Sequence, residues 1–271
     1  MSTEVISEKI LIGVVHFGPD ALLWQLIESL SPEYKPRLRI VCHNPVPPEF
    51  YQEQIIHFGK NEGFARGMNR LIARAREEGV EVFIGLNNDA RPEPESIEIL
   101  ASAILRGSVF MAQGLLIWKN ERIAQGRNRM ARNFFFTWSP DRNRYIFEMD
   151  NAPELVPTDF VCGAFFALKI PGNLPGVHDF EPQFFCYMED IELSERLKKL
   201  GHQIALVPKA KAIHLESQST GGLMSREGAM LRIHGLLTYL NTTNKNLGYR
   251  FISWVIFIPR ILILWFRDGM K

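Results

Sequence analysis

The chain has 271 residues, 46% of them hydrophobic and 23% charged, which fits a globular protein large enough for one substantial core and excludes a disordered chain. Basic and acidic side chains nearly balance at a formal charge of +1, so the electrostatic footprint expected of a nucleic-acid binder is missing. Three cysteines, Cys42, Cys162 and Cys186, have no CxxC spacing and cannot all pair; they read as reduced thiols of a cytoplasmic protein, and the N-terminus carries no secretory pattern.

Residues 10–15 form a short apolar run, followed by His16-Phe17-Gly18-Pro19-Asp20 and an amphipathic stretch over 21–30: strand, turn and helix. The strand signal returns at 38–42 and stops at His43-Asn44-Pro45, where three prolines enforce a loop. A third strand over 55–58 leads into Asn61-Glu62-Gly63-Phe64-Ala65-Arg66-Gly67-Met68-Asn69, and helical periodicity runs from 63 to 78. Glycines at that helix's first turns serve either a diphosphate, since unpaired amides there favour anions, or close packing of helix on sheet through Gly67.

The run Val82-Phe83-Ile84-Gly85-Leu86-Asn87-Asn88-Asp89-Ala90-Arg91-Pro92 is too short for a helix and reads as a buried strand delivering Asp89 to its C-terminal edge. Open α/β sheets bind ligands at that edge. Asp89 there suits a hard divalent cation shared with a phosphate, although Asn-Asn-Asp-Ala before proline is also good turn chemistry. A helix is predicted over 94–105 with Pro94 in its first turn. The alternation so far argues for a mostly parallel sheet covered by helices on both faces. Residues 110–144 lack a clean period and read as hairpins and a long surface loop. Residues 156–168 return to strand, broken by Cys162-Gly163-Ala164.

In Phe184-Phe185-Cys186-Tyr187-Met188-Glu189-Asp190-Ile191, aromatic residues precede a helix whose buried face is Ile191, Leu193, Leu197 and Leu200, ending at Gly201. Glu189 and Asp190 open that helix. Acidic residues suit any helix N-terminus, and a half-buried carboxylate pair is also how a general base is made. Two short strands follow at 204–208 and 212–214, the second ending in His214. Residues 249–266 are strongly apolar but broken by Pro259 and Arg260, short of the roughly 20 uninterrupted apolar residues a spanning helix needs. Arg250, Ser253, Arg260 and Arg267 fall on one helical stripe, as in a helix lying in a membrane interface. Docking on the core or on a second subunit is the alternative.

Taken in order, the strand-turn opening, Asn-x-Gly-Phe-x-x-Gly-x-Asn, Leu-Asn-Asn-Asp, Phe-Phe-x-Tyr-x-Glu-Asp-x-x-Leu and the strand ending in His resemble family 2 glycosyltransferases, and among them the branch that includes bacterial rhamnosyltransferases. The resemblance spans roughly residues 10–220. It implies a GT-A fold at 1–222, with a nucleotide-sugar-binding half at 1–110 and an acceptor-binding half at 111–222; the helical segment at 223–271 is expected, from its own pattern, to rest peripherally on the inner face of the membrane. It implies an inverting transfer of a sugar, rhamnose among the candidates, from a dTDP- or UDP-sugar to a glycan or polyprenyl-linked glycan, with Mg²⁺ or Mn²⁺ as cofactor and a homo-oligomer left open.

Residue by residue, the resemblance makes Asp89 the charged cation ligand, with Asn87 where relatives keep a first aspartate and Asn88 between them. His214 joins the metal shell, and Asp190 is the general base with Glu189 beside it. Val15, His16 and Phe17 line the nucleobase, while Asn61, Gly63, Phe64, Gly67 and Asn69 form the donor motif. One departure concerns Cys42-His43-Asn44, where relatives have Val-Asp-Asn. His43 cannot accept two hydrogen bonds as a carboxylate can, so this departure leaves the identity of the base open. A non-catalytic sugar-nucleotide-binding protein on the same fold is the alternative.

Overall fold

The computed structural model describes residues 3–171, 179–215 and 226–268. Helix α1 (Thr3–Glu8) leads into strand β1 (Ile10–His16), helix α2 (Asp20–Ser29), β2 (Leu38–Cys42), β3 (Ile55–His57), α3 (Phe64–Glu77), β4 (Val82–Asn87), β5 (Ala90–Pro92) and α4 (Ser96–Leu105). The second half runs through β6 (Met111–Ile117), β7 (Ile123–Gln125), β8 (Arg129–Met130), β9 (Thr137–Trp138), β10 (Val156–Pro157), β11 (Phe165–Lys169), α5 (Glu189–Lys199), β12 (Ile204–His214), α6 (Arg226–Thr242) and α7 (Leu247–Asp268).

The main sheet has the order β10-β12-β6-β11-β4-β1-β2-β3, with β5 added on β12 and β7 on β6. Strands β3, β2, β1 and β4 are mutually parallel, β11 is antiparallel to both its neighbours, and β6 and β12 are parallel again. Alternation along β1 shows why the sheet is covered twice: Ile10, Ile12 and Val14 face one core with α2 and α4, while Leu11 faces the other with α3 and α5. On the second face Leu71 and Ile72 of α3, Leu193 and Leu197 of α5 and Leu236 of α6 are all fully buried. Each such side chain contributes about 1.5–3 kcal/mol on burial.

Three expectations change. Residues 111–117 do not lie in hairpins or loop: they form β6, buried along its whole length between β11 and β12. Gln113 and Gly114 interrupt its apolar run and hide the strand signal. Pro94 precedes α4 instead of entering it, because Glu95 takes a left-handed conformation at φ +64° and the helix starts at Ser96. The two strands predicted at 204–208 and 212–214 are one, β12, with an irregularity between Val207 and Lys211. Pro208 falls there, between the stretches that pair with β10 and β5, where its lack of an N–H costs no ladder bond.

The C-terminal helices are tied to α5. Tyr239, wholly buried in α6, donates its hydroxyl to Glu195 at 2.8 Å, and Lys245 reaches the same carboxylate at 3.1 Å. The stripe expected to face water turns inward instead: Ser253 is fully buried and its Oγ accepts the Phe135 N–H at 2.7 Å, while Arg250 donates to the Leu240 carbonyl of α6. The Arg260 and Arg267 side chains lie outside the described ones. No helix among the described residues is long and apolar enough to cross a membrane.

Candidate active site

Strand β4 ends at Asn87, and the chain turns through Asn88 and Asp89 into β5. Because β5 pairs antiparallel with the end of β12, with His214 opposite Ala90, the second half of the chain lays an imidazole beside Asp89. His214 Nε2 stands 3.2 Å from Asp89 Oδ1, within ion-pair distance but not aligned for a hydrogen bond, and it has no other partner among the described residues. Asp89 is 3% exposed, and the Arg91 guanidinium donates to its backbone carbonyl at 3.0 Å.

On the facing wall, Tyr187 and Met188 both take left-handed conformations, at φ +70° and +73°, and swing the chain sharply into α5. Each such conformation costs an L-residue about 1 kcal/mol or more and persists only where its surroundings hold it. The turn sets Glu189 and Asp190 at the helix start. Asp190 Oδ2 accepts the Gly163 N–H at 3.0 Å and Oδ1 accepts the Ile191 N–H at 2.8 Å. Ser194 fastens the same turn to the 160–163 loop, donating to the Asp190 carbonyl at 2.7 Å and accepting from the Val161 N–H at 3.0 Å. Glu189 is buried, and its Oε2 has no hydrogen-bond partner among the described residues. Burial pushes both carboxyls above the ordinary range, and the Asp190 charge pushes Glu189 further, while the two backbone N–H groups on Asp190 favour its ionised form.

Asp89, His214, Glu189 and Asp190 line a single cavity of about 640 Å³. Val15, Phe17, His43 and Asn61 line it too, as do Gly63, Phe64, Asn87 and Asn88. His43 is 1% exposed, neither ring nitrogen has a hydrogen-bond partner among the described residues, and burial lowers its pKa, so it faces the cavity neutral.

The other four residues predicted for the donor site do not line the cavity; they build its frame. His16 is fully buried, with Nδ1 accepting from Asn88 Nδ2 at 3.0 Å and Nε2 facing Asp20 at 2.9 Å, an arrangement that the tautomer protonated on Nε2 satisfies. Asn44 clamps the turn after β1 through both backbone groups of Gly18, and Asn69 does the same for Phe180. Gly67 lets α3 approach the sheet: a Cβ there would lie 2.6 Å from Val15 Cγ2. Of the two readings of these glycines, close packing is what Gly67 does.

Gly63 has a different partner from the expected anion. It sits at φ +88°, and a Cβ on it would fall 2.4 Å from the Phe185 carbonyl oxygen, which accepts the Phe64 N–H at 2.6 Å. The first amide of α3 is therefore occupied by the segment leading to Glu189 and Asp190, which joins the glycine motif to the acidic helix.

Sequence reasoning missed the floor between them. Asn128 Nδ2 donates to Gln113 Oε1 at 2.7 Å, the Cys162 N–H donates to the same oxygen at 2.8 Å, and Gln113 Nε2 donates to the Gly126 carbonyl. Single amides scattered over fifty residues carry no pattern that would reveal this network.

Residues 48–170 match the family described as Glycosyl transferase family 2. The chain carries a family 2 glycosyltransferase domain. The matched residues stop short of Glu189 and Asp190. An N-acetylglucosaminyl-diphospho-decaprenol L-rhamnosyltransferase of Mycobacterium tuberculosis is 26% identical over 216 residues, covering 72% of this chain and 68% of that protein. The fold of the glycosyltransferase domain is GT-A. GalNAc-T7, solved with UDP, GalNAc and Mn²⁺, superposes with a TM-score of 0.59 at 11% identity over 84% of this chain, and this chain spans about half, 47%, of its length. A mannosyltransferase from Pyrobaculum calidifontis, in complex with GDP-Man and Mn²⁺, gives a TM-score of 0.54 at 10% identity, covering 86% of this chain and 64% of that one.

Proposed function

We propose that the glycosyltransferase domain transfers a sugar, with rhamnose the first candidate, from a nucleoside diphosphate to a hydroxyl of a lipid-linked glycan, with inversion at the anomeric carbon. The observation that carries this reading is the convergence of Asp89 and Asp190, far apart along the chain, on one cavity. The lipid-linked acceptor is drawn from the relative whose name specifies N-acetylglucosaminyl-diphospho-decaprenol.

Asp190 accepts the proton of the acceptor hydroxyl while the oxygen bonds to the anomeric carbon on the face opposite the diphosphate. The bond from that carbon to the diphosphate oxygen breaks, and the nucleoside diphosphate leaves with the electron pair. The Gly163 N–H, holding Oδ2, aims the carboxylate. Asp89 and His214 would hold a divalent cation: one carboxylate and one imidazole whose Nε2 has no hydrogen bond among the described residues converge at the cavity wall. Such a cation supplies charge neutralisation for the departing diphosphate. His43, neutral and aimed into the cavity, is the base-facing residue, offering one donor or one acceptor where a carboxylate offers acceptors alone.

The test is a panel of nucleotide sugars with and without Mn²⁺, scored by thermal shift and then by transfer to a prenyl-diphosphate-linked N-acetylglucosamine. One donor should bind only with the metal and be consumed. Asp190→Asn should keep that binding and lose on the order of a hundredfold or more in transfer. Near-normal turnover by this variant would remove Asp190 from the role, and donor binding without transfer to any acceptor would favour the non-catalytic alternative.

A further inference from the structure

The cavity has a second end that the transfer chemistry does not use. Phe135, Phe136 and Trp138, from the β8–β9 hairpin, line it together with Leu231 of α6 and Ile256 and Phe257 of α7. The wall is braced: the Phe135 ring packs edge-on against Tyr239 at 5.0 Å and against Phe257 at 6.0 Å, and the buried Ser253 hydroxyl holds the Phe135 backbone. Such an aromatic and aliphatic lining is a poor partner for a sugar hydroxyl and a good one for hydrocarbon.

Arg142 and Arg232 line the same cavity, and the Arg142 guanidinium also donates to the Ala124 carbonyl at 2.6 Å. Arg142 lies over the Trp118 ring at 4.6 Å and Arg232 over the Tyr187 ring at 4.9 Å. Both fork-shaped cations suit phosphate oxygens. The helix behind the apolar end is itself two-sided. Ile256 and Phe257 face in, whereas Leu247, Phe251 and Val255, four residues apart, are 84%, 70% and 56% exposed. A hydrocarbon chain leaving the cavity along α7 would meet an apolar outer surface and not a charged one.

We infer that the apolar end of the cavity is a subsite for the first isoprene units of a prenyl-diphosphate acceptor, with Arg142 and Arg232 against its diphosphate. The inference rests on the transferase reading and adds the place where the lipid is recognised. It implies that the enzyme reads the anchor as well as the glycan, so a glycan freed of its lipid is a poor acceptor.

The test uses the full chain with UDP or dTDP, whichever binds, and Mn²⁺ at saturation, so that the donor side is filled. Farnesyl diphosphate, inorganic pyrophosphate and farnesol are then titrated by calorimetry. Farnesyl diphosphate should bind at least about tenfold tighter than either fragment, because burial of its methylene and methyl groups adds to what the diphosphate supplies. Phe257→Gln and Leu231→Gln, on different helices, should each weaken it by about tenfold while nucleoside diphosphate affinity, read in the same samples, reports a folded cleft. Farnesyl diphosphate binding no better than pyrophosphate, or equally well to both variants, overturns the subsite, and farnesol matching farnesyl diphosphate overturns the part given to the arginines. If neither nucleoside diphosphate binds with Mn²⁺, it is the transferase reading that fails, and the subsite falls with it.

Discussion

At the scale of single residues, the acidic pair presents two neighbouring carboxyls whose environments differ enough to divide their roles. Glu189 is buried with an oxygen that has no hydrogen-bond partner among the described residues, whereas Asp190 accepts two backbone N–H groups, each favouring its ionised form. Near neutrality the pair therefore holds one proton, and it stays on Glu189. Glu189→Gln should keep transfer within a few-fold of wild type at neutral pH, because it replaces a neutral group with a neutral group; a loss as deep as that of Asp190→Asn would assign the base to Glu189. The same substitution should change the dependence of stability on pH. A carboxyl whose pKa is raised by folding binds more protons folded than unfolded, so its contribution is fully present below the unfolded value and is lost as pH rises through the folded one. Glu189→Gln should thus raise the melting temperature more at about pH 8.5 than at about pH 5. An equal shift at both would mean that Glu189 does not titrate in that window.

At the scale of elements, what was legible depended on whether a segment's own pattern determined its conformation. The strand at 38–42 and the helices at 64–77 and 189–199 followed from apolar spacing and from their punctuation, including Gly201 after α5. Strand β6 did not, because burial on both faces removes alternation and Gln113, whose amide ties two loops, breaks the apolar run. The site residues divide similarly. Asp89 and the acidic pair stood out as charges at element ends, but the division of the donor motif into cavity-facing Asn61 and Phe64 and frame-building Gly67 and Asn69 rests on contacts with Val15, His43 and Phe180 that no local spacing encodes. Gly63 is the joint between α3 and the acidic turn. Gly63→Ala must place a Cβ against the Phe185 backbone at φ +88°, so it should cost about 1–3 kcal/mol and cut transfer by tenfold or more. Gly163→Ala, whose Cβ would meet the edge of the Phe64 ring at 3.3 Å and the Asp190 Cβ at an ordinary 3.7 Å, keeps the N–H that holds Asp190 and should cost less than about 1 kcal/mol. Thermal melts and initial rates of the two variants compare them directly, and equal losses would show that the contact with Phe185 is not what requires glycine at 63.

For the molecule as a whole, one end of the fold carries two neighbouring features: the cleft opens beside α6 and α7, and α7 turns large apolar side chains outward on its far side. The polar stripe that an interfacial helix would show to water is used here to bind the protein, with Ser253 on the Phe135 backbone and Arg250 on the last turn of α6. Turning that stripe inward leaves Leu247, Phe251 and Val255 exposed, a combination that fits a bilayer surface better than water. Deleting the segment would not test this, because Tyr249 and Ser253 are buried and Ile256 and Phe257 wall the cavity, so truncation would damage the cleft along with the surface. Phe251→Glu with Val255→Glu changes only the exposed side. Each exposed apolar side chain is worth about 1.5–3 kcal/mol when buried, so the double variant should lose more than tenfold in vesicle association by flotation. Binding of nucleoside diphosphate with Mn²⁺ should be unchanged, since neither residue lines the cavity. If flotation is unaltered while transfer to a prenyl-linked acceptor persists, the enzyme draws its substrate from the bilayer without resting α7 on it, and the exposed face of that helix has a protein partner instead.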